Sequence, residues 1–299
     1  MNTDVNIQIG NFEELQAPAK SKSLDAVTSL TFRVTKCFIL TSAIIYGLLC
    51  LMFLLFQNRL IFMPTYQVSQ VPVQAAHSFA NLVVTSHSGH SISAWFIPAE
   101  NNIGTVLYCR GNKGNMSDDM HVAETWRKLG YNVMLFDYQG YGISTGEPSE
   151  LNCYDDAESM YNWLRNNRLM NKKVIIHGKN IGAAVAAKLA KENGCDGLVL
   201  ESPLTSIKDL GKQRFPFIPG FLYYNDFPTS EYVKNVEAPL LVMHSPSDET
   251  VPFSMGQKVF DSATGHKNFF SLEGDHYESI SHTPGYLRAL QTFSGSLNN

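Results

Sequence analysis

Short apolar runs alternate with amphipathic stretches along most of this 299-residue chain. Residues 81–85 and 92–97 read as two short strands around a polar turn, which predicts an antiparallel hairpin. The pattern then predicts strands at 105–109, 132–137, 173–176, 197–201, 239–244 and 268–272, and helices at 120–129, 154–166, 183–191 and 253–261. Buried strands that alternate with helices predict an α/β fold, with a mostly parallel central sheet and helices on both faces.

One apolar run is much longer than any strand. Residues 37–56 contain no charged side chain, and a helix of roughly 20 apolar residues can span a bilayer. A buried core helix would normally carry a polar stripe, which this run lacks. A cleaved signal peptide has a shorter apolar core near the terminus and a small-residue cleavage site. The pattern therefore favours an uncleaved transmembrane anchor over both alternatives.

The charges on either side of this run predict its orientation. Lysines and arginines precede it at Lys20, Lys22, Arg33 and Lys36, whereas Arg59 alone follows closely. Because positive residues stay in the cytoplasm, we expect a single-pass membrane protein with a cytoplasmic N-terminus and its large domain on the non-cytoplasmic side. The expected organisation is a flexible tail at 1–36, the anchor at 37–56 and an α/β domain at 58–299.

Composition excludes several classes of function. A net charge of −4 gives no sign of a nucleic-acid partner. Three cysteines lie outside the anchor, and without CxxC spacing they form neither a disulfide framework nor a zinc site. Gly140, Gly142 and Gly146 have the wrong spacing for a dinucleotide loop. His87 and His90 lack convergent metal ligands. We therefore expect no cofactor and no metal.

An aromatic-rich insertion at about 206–236 separates the strands at 197–201 and 239–244. It contains Phe215, Phe217, Phe221, Leu222, Tyr223, Tyr224 and Phe227, with prolines at 216 and 219. A short helical connection packed on the core is the simpler interpretation, because aromatic side chains mostly serve packing. A lid or apolar groove for an acyl chain is the alternative.

The segment His177–Gly182 contains the most informative residue of the chain. It follows the strand at 173–176 and opens the helix at 183–191, which is the context of a Gly-x-Ser-x-Gly nucleophile elbow. Asn180 stands in place of the serine. Asparagine tolerates positive φ, so it is compatible with the strained turn. An amide does not attack an ester as an activated hydroxyl does, so the segment predicts the framework of a nucleophile elbow without its nucleophile.

Five distinctive loops follow strands of the predicted sheet, at the edge where open α/β sheets bind ligands. They are Arg110–Asn115, Asp137–Gly142 with its continuation to Pro148, the elbow, Ser245–Pro252 and Gly274–His276. Together with the anchor and the segment Asn58–Thr65, they resemble the α/β-hydrolase superfamily, and more narrowly its membrane-anchored Bem46/ABHD13-like group. The resemblance runs from the anchor to the C-terminus and implies the α/β-hydrolase fold.

The resemblance also implies roles for individual residues. Asp248 matches the catalytic acid of the group and His276 its base, in the order nucleophile, acid, base. Gly111, Asn112 and Ile181 match the positions that form the oxyanion hole. Two alternatives remain open from the residues themselves: Asp248 could cap the helix after Pro252, and His276 could cap or pack against the last helix.

Departures from the group's pattern surround the elbow. Arg110 replaces a histidine and Lys113 an alanine of a His-Gly-Asn-Ala-Gly-Asn loop. With Lys179, they could place three cations around the oxyanion hole, beside a helix N-terminus that favours anions. That arrangement would hold an anionic lipid headgroup or a carboxylate. Alternatively, the three side chains point to solvent.

Two functions follow from these observations. The favoured one is a catalytically impaired pseudoenzyme, anchored in a lipid bilayer, that binds an acyl or anionic lipid ligand or acts as a scaffold. The alternative is an active ester or thioester hydrolase. It requires that Asn180 be an introduced substitution, that Asn180 deamidate to a carboxylate nucleophile, or that another hydroxyl such as Ser202 take over.

Overall fold

A computed structural model describes residues 22–69, 78–276, 283 and 285–297 of the chain. Within it the chain divides into two compact units, Met1–Met52 and Phe53–Asn299. The second unit therefore begins five residues before the predicted domain start at position 58. The reason is that Gln57 and Ile61, at the end of the N-terminal helix, are buried in the second unit.

The first described element, α1, is one continuous helix, Lys22–Ile61. Its segment Ala26–Ile61 is long and apolar enough to cross a membrane. Helix α1 begins inside the stretch 1–36 that was predicted to be a flexible tail, so that boundary is wrong. No glycine or proline interrupts the sequence between Pro18 and Gly47, and nothing in it breaks a helix. Residues 1–21 of the predicted tail lie outside the described residues.

The second unit is built around an eight-stranded sheet of described strands in the order β10-β9-β8-β7-β4-β6-β3-β2. Neighbouring strands are parallel except for the pairs β2–β3 and β3–β6. The strands are β2 Ala80–Thr85, β3 Ser91–Ile97, β4 Gly104–Cys109, β6 Tyr131–Phe136, β7 Lys173–Lys179, β8 Gly197–Glu201, β9 Leu240–His244 and β10 Lys267–Ser271. Two short strands, β1 Met63–Pro64 and β5 Lys113–Gly114, form a separate parallel pair.

Helices cover both faces of this sheet. The helices of the second unit are α2 Met120–Lys128, α3 Glu150–Asn166, α4 Ile181–Asn193, α5 Ile207–Arg214, α6 Thr229–Tyr232, α7 Phe253–Ser262 and α8 Tyr286–Ser296. Buried side chains of α3, α4 and α7 share one core cluster, and those of α2 and α8 share the cluster on the opposite face. The predicted mostly parallel sheet with helices on both faces is confirmed.

The parallel strands explain where a site can form. Strands β4, β6, β7, β8 and β9 are completely buried, apart from the two ends of β7. Their carboxyl ends meet at one edge of the sheet, which is where ligands of open α/β sheets bind. The loops that were singled out in the sequence all start at this edge.

The insertion between β8 and β9 forms short helices joined by irregular segments. It is attached to the last turns of α1. The Gln57 amide donates to the carbonyl of Leu222 at 2.9 Å and accepts from the backbone of Tyr224 at 3.2 Å. The Phe53 and Tyr223 rings meet edge to face with centroids 4.8 Å apart. The end of α1 and the insertion therefore form one wall of the second unit.

Candidate active site

Asn180 lies at a sharp turn between β7 and α4, with φ 54° and ψ −120°. Its backbone N–H donates to the carbonyl of Glu201 at 2.9 Å. The flanking glycines allow the close packing of this turn: a Cβ on Gly178 would lie 2.2 Å from the carbonyl oxygen of Gly182, and one on Gly182 would lie 2.1 Å from that of Cys109. Side chains at either position would force β7, α4 and β4 apart.

The side chain of Asn180 makes two hydrogen bonds. Its amide Nδ2 lies 2.9 Å from Nε2 of His276, and its Oδ1 accepts from the backbone N–H of Ile181 at 2.6 Å. Since the amide nitrogen can only donate, the network assigns an unprotonated Nε2 to His276. Asn180 thus contacts both the position of a general base and the N–H that follows the nucleophile position.

Asp248 and His276 lie side by side in the structure. Nδ1 of His276 donates to Oδ2 of Asp248 at 2.6 Å, and both residues are buried. The other carboxylate oxygen, Oδ1, accepts from the backbone N–H groups of Thr250 and Val251 at 2.9 and 2.7 Å. Asp248 therefore orients the imidazole of His276 toward Asn180.

His244 supports Asp248 from the end of β9. Its Nε2 lies 3.3 Å from Oδ2 of Asp248 and 3.0 Å from the carbonyl of Val251. Burial would raise the pKa of Asp248, but the hydrogen bonds from His244, His276 and Val251 outweigh it and lower this pKa well below its ordinary value. The sequence pattern alone did not connect His244 with Asp248. The signal available in the sequence was the spacing of four residues between His244 and Asp248, across the turn after β9.

This arrangement supplies an orienting carboxylate and a base, but no hydroxyl at the turn. In a serine hydrolase the base would take the proton of the nucleophile, and the N–H after the nucleophile would bind the oxyanion. Here the amide nitrogen of Asn180 donates to the imidazole of His276, and its amide oxygen accepts from the N–H of Ile181. The side chain of Asn180 is therefore hydrogen-bonded to both groups that a serine hydrolase would use in catalysis.

Gly111 and Asn112 follow β4 and reach the site in different ways. A Cβ on Gly111 would lie 3.5 Å from Cβ of Asn180, so the loop passes directly over the elbow. The side chain of Asn112 points elsewhere, because its Nδ2 donates to the carbonyl of Ile61 at 2.6 Å. The Asn112 carbonyl accepts from the hydroxyl of Tyr141 at 2.7 Å. The side chain of Asn112 therefore ties this loop to the end of α1.

Arg110 does not contribute a cation to the site, and it does not point to solvent. It is buried, and its Nε lies 3.2 Å from Asp119 and 3.7 Å from Asp137. Nη1 and Nη2 donate to the carbonyls of Gly114 and Lys113. Burial raises the pKa of Asp137 to about 7, although Arg110 acts in the opposite direction. Both interpretations of Arg110 were wrong because two acidic residues, distant in sequence, converge on it.

Lys179 is likewise turned inward. Its Nζ lies 2.8 Å from Oε1 of Glu201, and Oε2 of Glu201 accepts from the hydroxyl of Tyr286 at 2.9 Å. Burial would raise the pKa of Glu201, but Lys179 and the nearby His177 lower it far below its ordinary value. With Arg110 and Lys179 neutralised internally, only Lys113 of the three predicted cations is exposed. The predicted cluster of three cations does not exist.

A cavity of about 300 Å³ opens beside the elbow. Asn180 and Ile181 lie in its lining, together with side chains from the end of α1 and from the insertion. The lining is mostly apolar and comprises Phe53, Leu60, Ile61, Met63, Leu204, Ile207, Leu210, Phe215 and Tyr223, with Gln57, Asn112, Gly211, Arg214 and Thr250. The aromatic insertion therefore forms part of a pocket wall while also packing on the domain.

Ser202, the alternative nucleophile, is fully buried at the end of β8 with φ 45°. Its hydroxyl has no hydrogen-bond partner among the described residues. A buried hydroxyl without a base does not have the environment of an activated nucleophile.

The known proteins that resemble this chain include a peptidase family, two lipases and an esterase. Residues 100–222 match the family model of serine aminopeptidases, S33. The chain is 33% identical over 226 residues to an uncharacterized protein of Mycobacterium tuberculosis, covering 73% of this chain and 79% of that protein. It is 34% identical over 196 residues to the lysophosphatidylserine lipase ABHD12 of Danio rerio, which covers 58% of this chain.

The murine lysophosphatidylserine lipase ABHD12 is 31% identical over 234 residues. The chain spans only 50% and 58% of the zebrafish and mouse lipases, respectively. Among solved structures, the esterase Pf2001 of Pyrococcus furiosus superposes with a TM-score of 0.65 at 19% identity, covering 79% of this chain and 97% of that one. At that identity the likeness concerns the fold alone.

Proposed function

Because this chain belongs to the α/β-hydrolase superfamily, we propose that it is a membrane-anchored member that binds a lipid acyl chain without cleaving it by a serine mechanism. Within the superfamily we assign it to the Bem46/ABHD13-like group, on the loops and the anchor described above. Its N-terminus lies in the cytoplasm and its domain on the other side, following the positive-inside bias of Lys and Arg.

The side chain of Asn180 is the observation that carries the proposal. It stands at the nucleophile position, 2.9 Å from the imidazole of His276, and its own oxygen accepts from the N–H of Ile181. Loss of the nucleophile alone lowers the turnover of a serine hydrolase by around a million-fold. An internal acceptor on the oxyanion-hole N–H removes transition-state stabilisation as well.

The cavity supports an acyl chain as the ligand. Its wall is apolar over most of its area, whereas Asn180, Asn112 and Gln57 supply a few polar groups. Such a combination is typical of a small-molecule pocket that orients one polar end of an apolar ligand. The similarity to proteins named lysophosphatidylserine lipases points to a single-chain phospholipid.

An active ester or thioester hydrolase is the second candidate, and the Asp248–His276 hydrogen bond favours it. A fluorophosphonate probe followed by intact-mass spectrometry distinguishes the two, using the full chain in detergent and an Asn180→Ser variant. We expect the native chain to gain no mass and the variant to gain one probe. The double variant Asn180→Ser/His276→Ala is the control and should stay unlabelled. Labelling of the native chain would instead support the active hydrolase.

Acyl-chain binding is tested directly with oleoyl lysophosphatidylserine, by native mass spectrometry of the full chain. We expect a one-to-one complex that Leu210→Trp abolishes, because the indole fills the cavity. Leu151→Trp is the matched control, since Leu151 is exposed on α3 and outside the cavity. Equal binding by all three proteins would contradict a ligand in this cavity.

A further inference from the structure

An exposed aromatic patch lies beside the cavity. We define it by four side chains of the insertion: Phe215, Phe217, Phe221 and Tyr224, all exposed. Phe221 has 84% of its surface accessible, the largest fraction among the exposed large apolar residues of the described chain. Exposed aromatic side chains concentrated in one short segment indicate an interaction site on a folded domain.

The patch is fastened to the end of α1. The backbone of Leu222 and Tyr224 is hydrogen-bonded to Gln57, and the Asn225 amide donates to Oδ1 of Asn58 at 2.7 Å. On the same turns of α1, Phe56 and Leu60 are exposed as well. They belong to the apolar segment, ending at Ile61, that is suited to a membrane. Exposed apolar side chains therefore lie both on the helix end and on the insertion that is attached to it.

Basic side chains accompany the patch. Helix α5 contributes Lys208, Lys212 and Arg214 against a single acid, Asp209. Lys208 and Lys212 reach toward Gly220, next to Phe221. Arg59 lies over the ring of Phe56, 5.5 Å from its centroid. Aromatic rings flanked by lysine and arginine are the composition of a surface that lies in the headgroup region of a bilayer.

We propose that the patch inserts into the interfacial layer of the membrane that holds α1, with Phe221 deepest, so that the cavity takes its ligand from the bilayer. The proposal rests on the membrane anchor of the proposed function and adds the route of entry. Phe215 belongs both to the patch and to the cavity wall. An acyl chain leaving the bilayer at the patch would therefore reach Asn180 without crossing water.

Tryptophan fluorescence of the full chain in liposomes tests this placement. A Phe221→Trp variant adds one reporter at the patch, and Leu151→Trp adds one at another exposed apolar position, 77% accessible on α3. The liposomes contain phospholipid brominated near the top of the acyl chains, which quenches only indoles that touch it. We expect most of the added emission of Phe221→Trp to be lost, and that of Leu151→Trp to persist.

Equal persistence of both added signals would overturn the proposal. So would a blue-shifted Phe221→Trp emission that brominated lipid does not quench, because another protein copy would then cover the patch. Phe217→Trp gives a second reading in case the first variant folds poorly. Since no ligand is needed, quenching without lysophospholipid binding would leave the patch in the membrane and refute only the acyl-binding function.

Discussion

At the scale of single residues, Asn180 combines three structural functions. It holds a positive φ, accepts from the first N–H of α4 through its side chain, and donates to His276. The asparagine therefore stabilises the turn at the position of the nucleophile in serine hydrolases.

Substitutions at position 180 should reveal this contribution to stability. We expect Asn180→Ala to lower the free energy of unfolding by about 1–2 kcal/mol, since it removes the side-chain cap and strains a positive φ. Asn180→Gly should cost only a few tenths of a kcal/mol, because glycine relieves the strain. Urea denaturation of the full chain in detergent measures both. An equal loss for the two variants would show that the backbone conformation contributes nothing.

At the scale of secondary structure elements, the sheet and helices follow from the apolar pattern. The predicted strand at 197–201 is correct at both ends, and that at 239–244 is one residue too long. Each apolar run of strand length is bounded by polar or turn residues that end it locally. Helix α3 starts at Glu150, four residues earlier than predicted, because the Ser149 hydroxyl caps it by accepting from the N–H of Asn152 at 3.2 Å.

The contacts that set the electrostatics of the site could not be predicted from the sequence. Lys179 and Glu201 end neighbouring strands, β7 and β8, and their pairing at 2.8 Å depends on a strand order that periodicity does not give. Arg110 and Asp137 are likewise 27 positions apart, at the ends of β4 and β6. The sequence could therefore name Arg110 and Lys179 as unusual, but not the carboxylates that neutralise them.

The Lys179–Glu201 pair predicts a specific pattern of stability. Lys179→Met should lower the free energy of unfolding by about 3–5 kcal/mol, because it leaves the buried carboxylate of Glu201 unpaired. The double variant Lys179→Met/Glu201→Gln should recover much of that loss, since no buried charge remains and the amide still accepts from Tyr286. Thermal and urea unfolding of the three proteins check this. Additive losses in the double variant would mean that the pair is not coupled.

At the scale of the whole domain, buried carboxyl groups make two opposite contributions to the pH dependence of stability. Burial raises the pKa of Asp156 to about 7, although hydrogen bonds from Gln139 act in the opposite direction, and Asp137 behaves similarly. Hydrogen bonds and ion pairs instead lower the pKa of Asp248 and Glu201. Asp156 and Asp137 therefore favour the folded state at acidic pH. Asp248 and Glu201 favour it at neutral pH.

We therefore expect stability to decline as the pH rises from about 5 to 7. A folded-state pKa raised above the unfolded value of an aspartate means that folding binds a proton in this window, so each such group costs up to about 1.4 kcal/mol per pH unit. Asp156→Asn should reduce this slope, whereas Asp209→Asn, on the exposed side of α5, should not. Urea midpoints of the full chain between pH 5 and 8 measure the slopes; identical slopes for all three proteins would contradict the buried-carboxyl account. Below pH 4.5, stability should fall again as the Asp248 and Glu201 contributions are lost.

The occupied N–H of Ile181 has a consequence for pharmacology. Boronic acids and fluorophosphonates owe their potency to a covalent bond with the nucleophile and to the anion that it leaves in the oxyanion hole. In this protein the first partner is missing, and a neighbouring side chain already fills the second. Under the proposed function, a compound series selected against serine hydrolases would therefore not bind this protein. Selective ligands for it would have to derive their affinity from the apolar cavity beside Asn180 alone.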